Sequence, residues 1–301
     1  MENKASITAL MSSFARTFHA ENEEHPVFAD TLAKRLMTDE EYKMIEKYIL
    51  GGVDFFAPEK KNIFASDTEA VRYIVNTQLA PTPLCRAAYC ERAIKTAAMT
   101  GTEQFVILGA GFDTFALREK KFIQKYKVFE VDHPLTQADK INRIERADLE
   151  VPKNLNFVGV DFTKDSLSDK LLEAGFDTSK KTFFSWLGVS YYLYYNEIKN
   201  LFGELAKLGA EGSEIVFDYA DADLFVADEK RVKNMLAMAK AGGEEMRSCF
   251  DYMSIEKLLS DNGFLIYEIL MPHDIQSEII DPSGSDIKAF EHINYIKAVL
   301  K

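Results

Sequence analysis

Four short stretches carry glycines, carboxylates and phenols, residue types able to hold a ligand or take part in a reaction. In LGAGFDT (108–114), Gly109 and Gly111 flank Ala110. A G-x-G turn after a strand lets a ligand come close to the backbone, although a plain strand-to-helix turn uses the same residues. In FEVDHP (129–134), Asp132 stands 21 residues beyond Gly111. A carboxylate there can accept from both hydroxyls of an adenosine ribose, with Glu130 as the alternative ligand and helix capping ahead of Pro134 as the plainer role. In VDFT (160–163), Asp161 can accept from an adenine amino group while Phe162 lines the base. In SWLGVSYYLYY (185–195), Tyr191 and Tyr192 either present ring and phenol to a substrate or pack in the core. Trp186, Tyr194 and Tyr195 are expected in the core.

Such residues work together only if strand ends carry them side by side. From Gln104 the chain alternates apolar runs with helix-period segments. Strands are expected at 104–109, 127–132, 156–162, 181–188 and 213–220, then at 264–270 and near 294–300. Helices are expected at about 114–126, 134–147, 166–174, 196–208, 228–241 and 254–262. Strands without polar alternation, separated by helices, imply a parallel sheet covered on both faces, with ligands beyond the carboxyl ends of the strands. The first hundred residues show no convincing strand. Helix-period segments at 30–37 and 39–50, and an amphipathic helix over 85–100 closed by Gly101, read as a helical cap. The expectation is α/β: a Rossmann-like, doubly wound, mostly parallel seven-stranded sheet, with residues 1–100 as cap and 101–301 as the binding core.

Composition narrows the partners. The 301 residues carry 36 Lys and Arg against 48 Asp and Glu, a formal charge of −12, and the basic residues are scattered. Nucleic acid is therefore not an expected partner; a small acidic or phenolic molecule is favoured over a protein substrate, since nothing in the sequence suggests a docking surface. Three cysteines, Cys85, Cys90 and Cys249, suit a reducing, cytoplasmic setting better than a disulfide framework. The histidines are too far apart to suggest a metal site. No apolar run approaches the ~20 residues that span a bilayer, so no membrane partner is expected.

Taken in order, VILGAGFDTFALR (106–118), VFEVDHP (128–134), GVDF (159–162) and WLGVSYYL (186–193) resemble the leucine carboxyl methyltransferase family, which includes bacterial carboxyl O-methyltransferases of the tetracenomycin type. FARTFHAENEEHPVFAD (14–30) is a weaker match to the family's N-terminal segment that closes over the cofactor. The resemblance implies S-adenosyl-L-methionine held by Gly109, Ala110, Gly111, Asp132, Asp161 and Phe162, with Asp113 shaping the loop. It also implies an arginine ahead of the first strand on the methionine carboxylate. Arg86 fits best, Arg92 is the alternative, and Arg16 is a lid contact. Where the family has glutamate beside the cofactor, this chain has Leu187.

Methyl transfer to a carboxylate needs alignment and no general base, since the acceptor is already ionised at neutral pH. A phenol needs help with its proton. Asp218, Asp221 and Asp223, placed after the fifth strand, are read as solvated loop acids, with a pocket-facing position as the alternative. Two other functions stand beside the methyltransferase. One is an NAD(P)-dependent oxidoreductase, against which Thr114 argues by replacing the third fingerprint glycine. The other is a relative that binds the cofactor without transferring methyl, motivated by Leu187.

Overall fold

A computed structural model describes residues 7–60, 62–162 and 164–301; Thr163, the last residue of the VDFT stretch, lies outside them. The chain folds as a seven-stranded sheet in the order β3-β2-β1-β4-β5-β7-β6. The strands are β1 (Gln104–Leu108), β2 (Lys127–Asp132), β3 (Leu155–Gly159), β4 (Thr182–Trp186), β5 (Glu214–Ala220), β6 (Phe264–Leu270) and β7 (Ile293–Leu300). Pairings among β1 to β5 are parallel, and β7 runs antiparallel between β5 and β6. Strand order reverses between β1 and β4, so the crevice for a ligand opens beyond the tips of β1, β2 and β4.

Before the sheet come α1 (Ile7–Asn22), α2 (Asp39–Gly51), α3 (Asp67–Ile74) and α4 (Pro81–Met99). Within and after it come α5 (Pro134–Arg146), α6 (Leu167–Glu173), α7 (Tyr195–Leu208), α8 (Lys230–Ala241) and α9 (Tyr252–Asp261). The segment expected as one helix over 114–126 is instead two short turns, Phe115–Arg118 and Lys120–Ile123, broken at Glu119. The stretch expected as a helix over 30–37 holds only a 3₁₀ turn, Ala33–Leu36, because the Asp30 side chain occupies the amides of Leu32 and Ala33.

Alternation along each strand sends neighbouring side chains to two separate cores. Phe105, Ile107, Phe183 and Val216 meet Phe14, Phe18, Val71, Ile74 and Leu84 of the N-terminal helices. Val106, Leu108, Trp186 and Phe217 meet Ile198, Phe202, Ile255 and Leu259 on the other face. The helical region thus shares one core with one face of the sheet. Arg143 on α5 ties α2 to that face, its guanidinium meeting Glu41 at 2.7 and 2.8 Å.

Candidate functional site

The turn after β1 is built for close approach. Gly109 and Gly111 both have positive φ, +67° and +45°, and Ala110 N donates to the Val131 carbonyl at the tip of β2 at 3.1 Å. Asp113 closes the turn by accepting from Phe115 N at 2.7 Å. Next door, Asp132 Oδ2 accepts from Gly111 N at 2.5 Å and Oδ1 from His133 N at 2.6 Å. A carboxylate offers about four lone-pair sites, so two acceptor positions remain for a diol. Burial pushes the Asp132 carboxyl above its ordinary range, while the two amides and Lys140 pull it back.

Glu130 lies two residues earlier on the same face, beneath this tip. It is buried against Lys140, and burial raises its carboxyl against that pull. Its engagement with Lys140 in the core leaves Asp132 as the carboxylate at the strand end. At the tip of β3, Asp161 is held by Lys164 at 2.7 Å and Phe162 is about half exposed.

The tip of β4 carries a cluster that the residue types only partly foreshadow. Asp218 and Val216 share a strand face, so Asp218 points at α4 rather than into a solvated loop; it is fully buried inside β5. This corrects the reading of Asp218 as a loop acid. Its Oδ1 accepts from Gly188 N at 2.6 Å, and its Oδ2 accepts from Arg86 Nη1 at 3.2 Å and from the Tyr191 hydroxyl at 3.4 Å. Arg86 Nη1 also donates to the Tyr191 hydroxyl at 3.0 Å. The guanidinium lies flat on Gly188: a Cβ there would sit 2.4 Å from both terminal nitrogens, and φ is +74°. A charged residue inside an otherwise apolar strand was the one sequence signal for this hub, since a buried acid requires a partner.

Arg92, six residues further along α4, is half exposed and pairs with Glu278 at 3.5 Å. Of the two arginines, Arg86 is the one beside the strand tips. Arg16 makes no approach to them as a free cation: it pairs with Asp30 at 2.7 Å and donates to the Phe112 carbonyl at 2.7 Å. Leu187 is partly buried and packs against the N-terminal core.

Of the aromatics, Trp186 is buried against Phe202 at 5.9 Å, as expected. Tyr194 and Tyr195 are not in the core; both are about half exposed at the start of α7, where Tyr194 stacks under Arg247. Tyr191 is buried and Tyr192 partly so. Burial raises both phenols well above their ordinary range; Asp218 adds to the effect at Tyr191 and Glu244 at Tyr192. The backbone of Arg247 donates to the Tyr191 carbonyl at 2.6 Å, which brings the segment after α8 over this side of the crevice.

A glycine turn after the first strand, a carboxylate at the tip of the second and an antiparallel seventh strand define a Rossmann-like methyltransferase. More narrowly, the leucine carboxyl methyltransferase model matches residues 9–206, and the chain belongs to that family. A Bacillus subtilis (strain 168) protein, YktD, is 44% identical over 303 residues, covering 100% of this chain and 99% of its own, and carries the provisional name of an S-adenosyl-L-methionine-dependent methyltransferase. A Mycolicibacterium paratuberculosis protein with the same provisional name is 27% identical over 79% of this chain and 73% of its own. Among solved structures, a Thermobifida fusca protein provisionally titled a methyltransferase superposes with TM-score 0.61 at 14% identity, covering 100% of this chain and 96% of its own. A DUF574 protein from Streptomyces avermitilis gives 0.57 at 16% identity, covering 85% and 96%. At those identities the superpositions speak to the fold. Family and fold together make this an S-adenosylmethionine-dependent methyltransferase.

Proposed function

We propose that the enzyme methylates a carboxylate oxygen of a small molecule. The observation that carries this reading is the state of the two phenols nearest the crevice. With Tyr191 and Tyr192 raised by burial, both keep their protons at neutral pH and serve as donors, not bases. Tyr191 is further occupied, accepting from Arg86 and donating to Asp218. A phenolic acceptor would require a base to take its proton, whereas a carboxylate arrives ionised.

The donor set fits the cofactor. Asp132 has two acceptor positions to spare for the ribose hydroxyls, and 109–111 present backbone without side-chain bulk. Asp161 and the exposed ring of Phe162 take the adenine. Arg86 makes its hydrogen bonds through Nη1, so Nη2 is the donor for the methionine carboxylate. Bound there, S-adenosylmethionine supplies an electrophilic methyl on a sulfonium. The protein's own part is orientation and exclusion of water. Tyr191 and Tyr192 wall the acceptor side, and Tyr192, whose hydroxyl keeps its proton, donates to the acceptor's oxygens. Leu187 keeps the neighbouring wall apolar. Residues 1–100 act as the cap over 101–301, and the free thiols of Cys85, Cys90 and Cys249 support a cytoplasmic setting.

The test is a screen of carboxylic acids and phenols with S-adenosylmethionine labelled on its methyl group, followed by mild alkali. A methyl ester releases labelled methanol, and an aryl methyl ether does not. The proposal expects alkali-labile product from at least one acid. Label found only in alkali-stable product assigns a phenolic acceptor instead, and cofactor uptake with no transfer to either class supports a binding protein.

A further inference from the structure

Two residues singled out in the sequence play no part in the scheme above: Arg16, in the stretch matching the family's cofactor-closing segment, and Thr114, where a dinucleotide fold has glycine. Both end on one atom. Asp30 Oδ2 accepts from Arg16 Nη1 at 2.7 Å and from the Thr114 hydroxyl at 2.7 Å. Asp30 Oδ1 accepts from the amides of Leu32 and Ala33, each at 3.1 Å, and faces Arg118 Nε at 3.4 Å. Asp30 is fully buried.

The consequence falls on the cofactor turn. Arg16 uses its other arm, Nη2, to donate to the Phe112 carbonyl at 2.7 Å. Asp30 therefore grips Thr114 directly and Phe112 through Arg16, and so clamps both ends of 112–114. That stretch continues from Gly111, whose amide holds Asp132. Arg118 also donates to the Thr114 hydroxyl at 2.8 Å and pairs with Glu91 on α4, the helix that carries Arg86. A single buried carboxylate thus connects α1, the turn after β1 and α4.

We infer that Asp30 is a positioning residue for the cofactor: through Arg16 and Thr114 it holds the Gly111 amide and Asp132 in their binding arrangement before the ligand arrives. This rests on the reading of Asp132 as the ribose ligand. A loop already held in place has less conformational freedom to lose on binding, so the clamp works through affinity. Without it, 112–114 must be ordered at the expense of the cofactor's own contacts.

The test compares three variants by calorimetric titration with S-adenosylmethionine, well below each melting temperature, with far-UV circular dichroism confirming the fold. Asp30→Asn removes the charge at the hub, Thr114→Val removes one hydroxyl and leaves the ion pair, and Phe202→Leu destabilises a core remote from the clamp. Asp30→Asn is expected to weaken binding about tenfold or more and Thr114→Val about threefold, the size of a charged and a partial hydrogen-bond loss. Phe202→Leu is expected to lower the melting temperature and leave Kd unchanged. A purely structural Asp30 would behave like Phe202. Folded Asp30→Asn and Thr114→Val proteins with Kd within about twofold of wild type overturn the inference. If Asp30→Asn does not fold, Thr114→Val decides it. Wild type that takes up no S-adenosylmethionine sinks the site reading and this inference with it, whereas tight binding by both clamp variants removes the inference alone.

Discussion

In the proposed site Asp132 must be ionised to accept from two ribose hydroxyls, and its burial works against that. Desolvation raises its carboxyl, and the amides of Gly111 and His133 together with Lys140 only partly offset the rise. Binding therefore favours the charged form of a group whose proton leaves at higher pH than an ordinary aspartate, about 3.9. Affinity for S-adenosylmethionine should fall as the pH drops, starting above the ordinary carboxylate range; calorimetry from neutral into acidic pH measures it. A profile flat to below about pH 4, with the protein still folded, contradicts that assignment. Gly188 gives a second test at this scale. An alanine there meets the Arg86 guanidinium at 2.4 Å and must hold φ at +74°, a backbone cost of about 1–3 kcal/mol. Gly188→Ala should lower both the melting temperature and the affinity for the cofactor, since Arg86 has to move away.

Elements with strong local signals are legible in the sequence. The strand at Phe264–Leu270 and the helices near 134–147 and 196–208 follow from apolar runs and period alone. The helix expected over 114–126 breaks for a reason no local pattern holds: Thr114 and Arg118 are drawn to Asp30, far away in sequence, and Glu119 leaves helical geometry at φ −95°, ψ 34°. Helix α1 carries Leu10, Phe14 and Phe18 at helical spacing, yet nothing local says that it packs onto the turn after β1, where Ala9 lies against Gly111. Phe202 shows what the elements contribute energetically. It is fully buried on α7 between Trp186 and Phe217, with ring centroids at 5.9 and 5.3 Å. Phe202→Leu should cost roughly 1–1.5 kcal/mol, as for a near volume-conserving core change, read from chemical denaturation.

At the scale of the whole molecule, the four site motifs were readable because each sits at the end of one strand, and the parallel order of β3-β2-β1-β4 brings those ends together. The partners of Asp218 and Asp30 were not readable, because each hub collects them from segments remote in sequence that only the assembled fold juxtaposes. A third such contact closes one end of the β5–β7 pairing, just beyond Ala220 and Ile293. His292, at φ +63°, meets Asp221 at 2.8 Å and Glu229 at 3.6 Å. Burial lowers its basicity, but the bond to Asp221 and the two acids outweigh that and raise it. A histidine whose folded value is raised stabilises fully below the unfolded value, about 6.5, and that stability is lost as pH rises through the folded value. Denaturation midpoints should therefore fall on the alkaline side of about pH 6.5, and His292→Gln should flatten that part of the profile.

The account depends above all on where the adenosyl group is held. Titrating S-adenosylhomocysteine into wild type and Asp132→Ala tests this with no methyl acceptor required. The account predicts one site per chain in wild type and affinity weakened at least about tenfold in the variant, the loss of charge-assisted hydrogen bonds to the ribose. A folded Asp132→Ala protein that binds as tightly as wild type contradicts it.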